Sequence, residues 1–287
     1  MINAIVQGLL LGGLYALFAA GLSLMFGVMR IVNLAQGALA VAAAYLSYLL
    51  VDHLGLTPFA TAPIVVAVMF VAGYALQRGV LNFTRGSGEL PPLLATFGLA
   101  IVVQNVLLEA FSADSRGLDA GRIEDSSISL GGGVAIGWLP LITLAVGIAV
   151  IVGLHVLLEH TQLGRAFRAA SDDAEAATIV GIDERKLYAL ATAIALATVG
   201  IAGVLLGIRT TFGPSDGAAQ LIYAFEAVII GGLGNLWGTL LGGIVLGVAQ
   251  TVGAHIDPRY GVLAGHLVFL AVLLVRPTGL LPRAALA

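Results

Sequence analysis

Hydrophobic residues run along this chain in long blocks that short polar segments separate. A helix needs about 20 apolar residues to cross the hydrocarbon core of a bilayer. The blocks that predict membrane-spanning helices cover residues 5–28, a second run that ends at Val51, and residues 58–81, 93–111, 138–158, 187–208 and 262–275.

One further apolar stretch, residues 218–253, is interrupted by the sequence GGLGNLWG at positions 231–238. The interruption divides the stretch into two short halves, which predicts a membrane hairpin or a re-entrant, discontinuous helix pair. The predicted fold is therefore an all-α integral membrane protein, a polytopic bundle of about eight or nine transmembrane helices. We expect a single domain over residues 1–287, because the segments between the blocks are short.

The composition supports a membrane location. Hydrophobic residues make up 59% of the chain and charged residues 10%, with a mean hydropathy of +1.04, whereas soluble proteins carry about 25% charged residues. Glycine occurs 38 times, and pairs at GxxxG spacing predict close helix packing: Gly8/Gly12, Gly203/Gly207, Gly238/Gly242 and Gly243/Gly247. The absence of cysteine excludes disulfides and thiolate metal sites. Met1 leads into apolar sequence without a basic region or a cleavage site, so we expect the first helix to be retained.

The largest loops differ in charge, and the difference predicts an orientation. Loop 112–137 is acidic, and weak alternation over 123–136 with three glycines predicts a small hairpin. By the positive-inside rule, this loop and loop 211–217 face outside, as does the N-terminus. The C-terminus is then cytoplasmic, and the number of spans is odd, nine if 218–253 crosses twice. The basic positions placed inside are Arg78, Arg85, the segment 161–186, Arg276 and Arg283.

Segment 161–186 is the longest strongly charged run, with four of the 13 basic and five of the 16 acidic residues. Ser171 is suited to an N-cap, Asp172 and Asp173 to a first helical turn, and Gly181 to the position just after a helix. A helix of about nine residues is too short to stand alone in water. The segment is therefore either a solvated linker or a contact with a soluble partner.

A motif in this segment favours the contact. Glu175, Ala176 and Ala177, followed by three residues and Gly181, resemble the EAA---G motif in cytoplasmic loops of ATP-binding-cassette (ABC) importer permeases. The resemblance implies a coupling helix that docks in a cleft of an ATPase subunit. Arg165 and Arg168, in the Gly-Arg-Ala-x-Arg-Ala run before it, would flank this contact.

Elements along nearly the whole chain resemble the branched-chain amino acid (LivH-type) permease family. They are Gly13-Leu14-Tyr15-Ala16-Leu17, Gly21-Leu22, Phe26-Gly27, Asn33-Leu34-Ala35-Gln36-Gly37, Ala224-Phe225, Gly231-Gly232-Leu233-Gly234-Asn235, Gly238 and Arg276-Pro277-Thr278-Gly279-Leu280. Two departures stand out: no Leu-Pro follows Tyr188, and Glu226 matches no family position.

The resemblance implies the membrane-spanning subunit of an ABC importer in a bacterial or archaeal plasma membrane. Its implied substrates are branched-chain amino acids, with urea, short amides or aromatic acids as alternatives. The implied partners are a second related permease in a heterodimer (a homodimer is the alternative), two cytoplasmic ABC ATPases, a periplasmic or lipid-anchored substrate-binding protein, and membrane lipid. We expect no nucleic acid.

The candidate pathway residues are polar side chains in or beside apolar blocks: Asn33, Gln36, Thr96, Gln104, Asn105, Glu226 and Asn235. Asn33, suited to an N-cap, and Gln36 could instead only cap a helix near the interface. Glu226 could snorkel outward or pair with a cation such as Arg209.

No nucleotide-binding, zinc-protease or serine-hydrolase motif occurs, so we expect a non-enzymatic subunit without metal or cofactor, with ATP bound by its partners. An ion-coupled secondary transporter is the alternative from another class. Such transporters usually need several ionisable residues within the membrane, and here only Glu226, Arg209 and Glu109 qualify. A channel or scaffold is disfavoured by the coupling motif.

Overall fold

The computed structural model of the chain describes residues 1–84, 88, 90–131 and 134–281. Seven helices in this part are long and apolar enough to span a membrane. They are α1 (Ile2–Met29), α2 (Gln36–Leu54), α3 (Pro58–Thr84, with a π-helical turn at Gln77–Leu81), α4 (Leu90–Phe111), α5 (Trp138–His160), α8 (Glu184–Arg209) and α10 (Leu236–Ile256).

Two shorter helices complete the bundle: α9 (Gly217–Gly231) and α11 (Tyr260–Val275). Seven long and two short helices agree with the predicted eight or nine, and the break between α9 and α10 falls within residues 231–238, where the glycines predict it. The charged segment forms α6 (Gln162–Asp172) and α7 (Ala174–Ile179).

The centre of the bundle is formed by α1 and α8. In their most apolar windows, 83% of α1 and 78% of α8 are buried, against 22% or less for α3, α4 and α5. The glycine spacing explains how α1 comes so close to α10. An added β-carbon on Gly12 would lie 2.5 Å from the Cα of Ile244, and one on Gly243 would lie 2.7 Å from the carbonyl oxygen of Gly12. Only glycine permits this approach.

The connecting segments fall on two opposite ends of the bundle. At one end, the side chain of Gln7 donates to the carbonyl of Ala135 at 2.8 Å. At the same end, the backbones of Arg116 and Phe212 form an isolated antiparallel β-bridge. At the other end, Ser171 donates to the carbonyl of Gly27 at 2.9 Å. The acidic loop lies at the first end, and α6 and α7 lie at the second. This agrees with the prediction that the two segments lie on opposite sides of the membrane. Arg85 and Arg283, which also entered the orientation argument, lie outside the described residues.

The acidic loop contains the predicted hairpin. Strand β1 (Ser127–Gly131) pairs antiparallel with β2 (Val134–Gly137), and Ile128 lies opposite Ile136. A one-turn helix, Arg122–Asp125, precedes the hairpin.

Candidate functional site

The charged segment is two helices, not the single helix of about nine residues that its sequence predicts. The break lies at Asp173, whose backbone is extended and whose carboxylate accepts from the N–H of Ala176 at 2.9 Å, so Asp173 is the N-cap of α7. The prediction of Ser171 as that cap is wrong. Ser171 lies in the last turn of α6, where its hydroxyl bonds to α1.

The C-terminal end of α7 agrees with the prediction for Gly181. This glycine has φ +91° and donates its N–H to the carbonyl of Thr178 at 3.0 Å. A left-handed backbone favours glycine because a β-carbon is strained there. Nothing lies within 4 Å of the position that a β-carbon would take, so the site faces open space.

The motif residues of α7 present a mixed surface. Ala177 is buried, whereas Glu175 and Ala176 are exposed. Beside them, Ile179 is 81% exposed and Val180 is 76% exposed. Two adjacent aliphatic side chains at the end of a polar segment form an apolar tip, which is typical of a surface that another protein covers.

The two arginines that precede the motif, Arg165 and Arg168, have different surroundings. Arg165 is exposed. Arg168 donates from Nη1 to the carbonyl of Leu158 and pairs with the carboxylate of Glu159 at 3.2 Å. Arg168 therefore contacts the end of α5 in its own chain, a contact that its sequence position does not reveal.

Asp183 is the N-cap that starts α8 and ends the charged segment. Its carboxylate accepts from the backbone N–H of Lys186 at 3.1 Å and pairs with the ammonium of the same residue at 3.2 Å. These interactions lower the pKa of the Asp183 carboxyl below its ordinary value, the backbone hydrogen bond most strongly.

Three of the candidate pathway residues come together where α2 begins. Thr96 accepts from the N–H of Leu34 at 3.1 Å, and Gln36 donates to the carbonyl of Phe18. Asn33 accepts from the N–H of Ala35 at 3.0 Å, although Ala35 and not Asn33 is the N-cap of α2. All three side chains are buried, and Asn33 Nδ2 and Gln36 Oε1 have no partner among the described atoms.

The remaining amides lie elsewhere. Gln104 is within 3.4 Å of the hydroxyl of Ser215, and Asn105 is exposed on α4, where it donates to the carbonyl of Ile101 at 2.8 Å. Asn235 lies at the break, where it caps α10 through the N–H of Gly238 at 2.9 Å and donates to the carbonyl of Leu281 at 2.9 Å.

Glu226 is 4% exposed, and its carboxylate lies 2.5 Å from Nδ1 of His266 on α11. Its partner is thus a histidine and not Arg209, and the side chain does not reach outward. Tyr223 connects this pair to α1, because its ring lies 6.5 Å from that of His266 and 5.1 Å from that of Tyr15.

Tyr15 in turn donates to Gln250 on α10 at 2.5 Å. Sequence reasoning missed Tyr15, Gln250 and His266 as members of a polar cluster. The sequence shows these three only as polar residues within apolar helices that contain other polar residues as well. Within the described chain no three His, Cys, Asp or Glu side chains form a metal site.

Comparisons with known proteins give a consistent picture. The family described as "branched-chain amino acid transport system / permease component" matches residues 4–275. The chain is 31% identical to the high-affinity branched-chain amino acid transport system permease protein BraD of Pseudomonas aeruginosa, over 98% of this chain and 96% of that protein.

The permease protein LivH of the same type of system in Escherichia coli is 28% identical, over 96% of this chain and 94% of LivH. LivM of Escherichia coli is 25% identical, over 94% of this chain and 68% of LivM. Among solved structures, "PsaBC from Streptococcus pneumoniae in complex with Fab" is similar at a TM-score of 0.49 and 15% identity, over 97% of each chain.

Proposed function

This chain belongs to the family of branched-chain amino acid transport permease components, and from that premise we propose that it is the membrane-spanning subunit of an ATP-driven importer of branched-chain amino acids. The observation that carries the proposal is the family match over residues 4–275, which includes the coupling motif. Urea, short amides and aromatic acids are the competing substrates.

We propose that α7 and its apolar tip dock on a cytoplasmic ATPase. Exposing Ile179 and Val180 to water is unfavourable, and a cleft on a partner would remove both side chains from water. Glu175 and Arg165 are also exposed on the charged segment and would make polar contacts with the ATPase. ATP would then be bound and hydrolysed by two partner subunits and not by this chain.

A movement of the docked segment would reach the centre of the bundle through α6. Ser171 bonds to Gly27 at the end of α1, and Phe167, which is 1% exposed, packs in the cluster that includes Met25 and Val28 of α1. Because α1 is the most enclosed helix, a shift of its end would change its packing against α8 and α10. This linkage fits alternation between outward and inward access.

The second permease would be a related chain. This sequence is similar to both LivH and LivM, which are permease proteins of one type of system in Escherichia coli. A heterodimer is therefore favoured over a homodimer. A substrate-binding protein would deliver the amino acid at the end that carries the acidic loop, with the N-terminus outside, the C-terminus cytoplasmic and the chain in the plasma membrane.

The buried amides at the start of α2 are the best candidates for polar groups on the pathway. Asn33 and Gln36 each keep an atom without a partner among the described residues, and an unsatisfied buried polar atom costs about 1–3 kcal/mol unless something pairs with it. A passing substrate would supply that partner.

The test is transport by the complex purified through a tag on this chain, reconstituted with ATP inside vesicles and the binding protein outside. We expect uptake of labelled leucine that requires ATP, is competed by isoleucine and valine, and survives a protonophore. Competition by urea or aromatic acids alone would favour the alternative substrates. ATP-independent uptake that a protonophore stops would contradict an ABC importer and indicate ion coupling.

A further inference from the structure

A cavity of about 230 Å³ lies beside α6, between the end of α1, the end of α5 and the start of α10. It opens on the end of the bundle that carries the coupling segment. Sites for drug-sized ligands occupy about 300–1,000 Å³, so this cavity suits a molecule the size of one amino acid.

Two side chains of its lining, Arg168 and Glu159, carry opposite charges, and His155 adds an imidazole. Arg168 and Glu159 lie 3.2 Å apart, with side chains 29% and 50% exposed. Within the described part of the chain, Arg168 bonds through Nη1 only, and a guanidinium has five N–H donors, so donors remain for a carboxylate. An adjacent cation and anion favour a ligand that carries both signs over a simple anion or cation.

The rest of the wall is largely apolar. Phe167, Leu24, Leu236 and Trp237 line the cavity together with Ser23. Ser23 is 1% exposed, and its hydroxyl has no partner among the described atoms. The wall therefore offers an aliphatic and aromatic surface next to a charged pair, while the buried Ser23 hydroxyl itself is not exposed to the cavity.

We propose that this cavity binds a zwitterionic aliphatic amino acid from the cytoplasm. The carboxylate would bind the remaining N–H groups of Arg168, the ammonium would bind Glu159, and the aliphatic side chain would pack against Phe167 and Leu236. The inference rests on the proposed function and goes beyond it, because this is a second site for the imported product, separate from the buried amides at the start of α2.

The position of the cavity gives such a site a regulatory effect. A ligand held by Glu159 and Arg168 would fasten α5 to α6, and α6 leads directly into the docking helix α7. Fastening α6 would oppose the movement that couples ATP hydrolysis to transport. Accumulated product would therefore slow its own import.

The experiment uses the reconstituted complex with ATP inside and labelled leucine and the binding protein outside. Vesicles contain either no internal leucine or saturating leucine, and each variant is compared with its own rate in empty vesicles. We expect internal leucine to slow initial uptake at least about five-fold, the lower end of ordinary coupling between sites. The effect should disappear in Glu159→Gln and weaken in Trp237→Ala, and it should persist in the matched control Glu109→Gln.

Chemical analogues test the two charges. Internal 4-methylpentanoate lacks the ammonium and internal 3-methylbutylamine lacks the carboxylate, so neither should slow uptake. A slowing by leucine that remains unchanged in both Glu159→Gln and Trp237→Ala would overturn the proposal, as would the absence of any slowing. Absence of uptake even in empty vesicles would overturn the proposed function as well, so the two failures are distinguishable.

A phosphatidylethanolamine headgroup carries the same two charges, so the bilayer is varied too. A lipid occupant would make uptake into empty vesicles differ between phosphatidylcholine and phosphatidylethanolamine membranes for the parent chain but not for Glu159→Gln. That result, with no effect of internal leucine, would overturn the amino acid site.

Discussion

Gly231 and Gly238 lie backbone against backbone, so that a β-carbon on either residue would overlap the carbonyl oxygen of the other. This contact joins the end of α9 to the start of α10. The C-terminal tail closes the same region, because Leu280 donates its N–H to the carbonyl of Ile230 at 2.8 Å and Leu281 donates to Gly231 at 3.0 Å. These bonds pair carbonyls at the end of α9 that the helix itself leaves free.

The glycine contact predicts that Gly231→Ala destabilises the protein by about 1–3 kcal/mol, the usual cost of overpacking. Thermal unfolding of the purified chain in detergent measures the change. Gly98→Ala on α4 is the matched control, because a β-carbon there meets nothing within 4 Å. Equal stability of the two variants would show that the α9–α10 contact tolerates added volume.

Gly181→Leu should uncouple ATP hydrolysis from uptake. The left-handed backbone penalises a side chain by about 1 kcal/mol, and the added bulk would meet the proposed ATPase cleft. We expect normal membrane levels, weak co-purification of the ATPases and loss of leucine uptake. Gly55→Leu is the control, since Gly55 has φ +64° and open space around it but follows α2 at the opposite end. A fully active Gly181→Leu variant would make the segment a passive linker.

Replacing Glu226 and replacing His266 should lower the free energy of unfolding by different amounts. The Glu226 side chain is 5% exposed and that of His266 is 37% exposed. His266→Leu leaves a buried carboxylate unpaired, at a cost of about 3–5 kcal/mol. Glu226→Leu leaves a partly exposed imidazole, at about 1–3 kcal/mol.

A double-mutant cycle on unfolding tests this pair. The variant with both substitutions should be more stable than His266→Leu alone, because it contains no unpaired carboxylate. Strictly additive effects of the two substitutions would mean that the residues do not interact.

Single cysteines test the orientation, and the chain has no cysteine of its own. Ser127→Cys on the hairpin should react with an impermeant maleimide added to intact cells, and Asp173→Cys should react only after the membrane is opened. Both positions are exposed, so burial does not protect them. Labelling of both cysteines from the same side would contradict the predicted orientation. It would also contradict the proposed docking of α7 on a cytoplasmic ATPase.

Local sequence accounts for the membrane-spanning elements of this protein, but not for the division of the charged segment into α6 and α7. Apolar block length predicts each span within a few residues, because the thickness of the hydrocarbon core sets the length of a crossing helix. Glycine spacing predicts close packing of α1 and of α10, though not that these two helices are partners, and the Gly-rich interruption predicts the break before Leu236. The positive φ of Gly181 also follows from its place after the EAA motif. All of these depend on residues that are close together in the chain.

Contacts between side chains that are distant in the chain follow from the fold and not from local sequence. His266 is 40 positions from Glu226, Gln250 is 235 from Tyr15, and Ser171 is 144 from Gly27. Each contact depends on how a helix is rotated about its axis, and in a membrane helix that is apolar on most sides no amphipathic pattern fixes that rotation. Arg168 lies on α6, a polar helix outside the spans; its place beside the motif predicts a partner contact, whereas the fold places it beside Glu159 of α5.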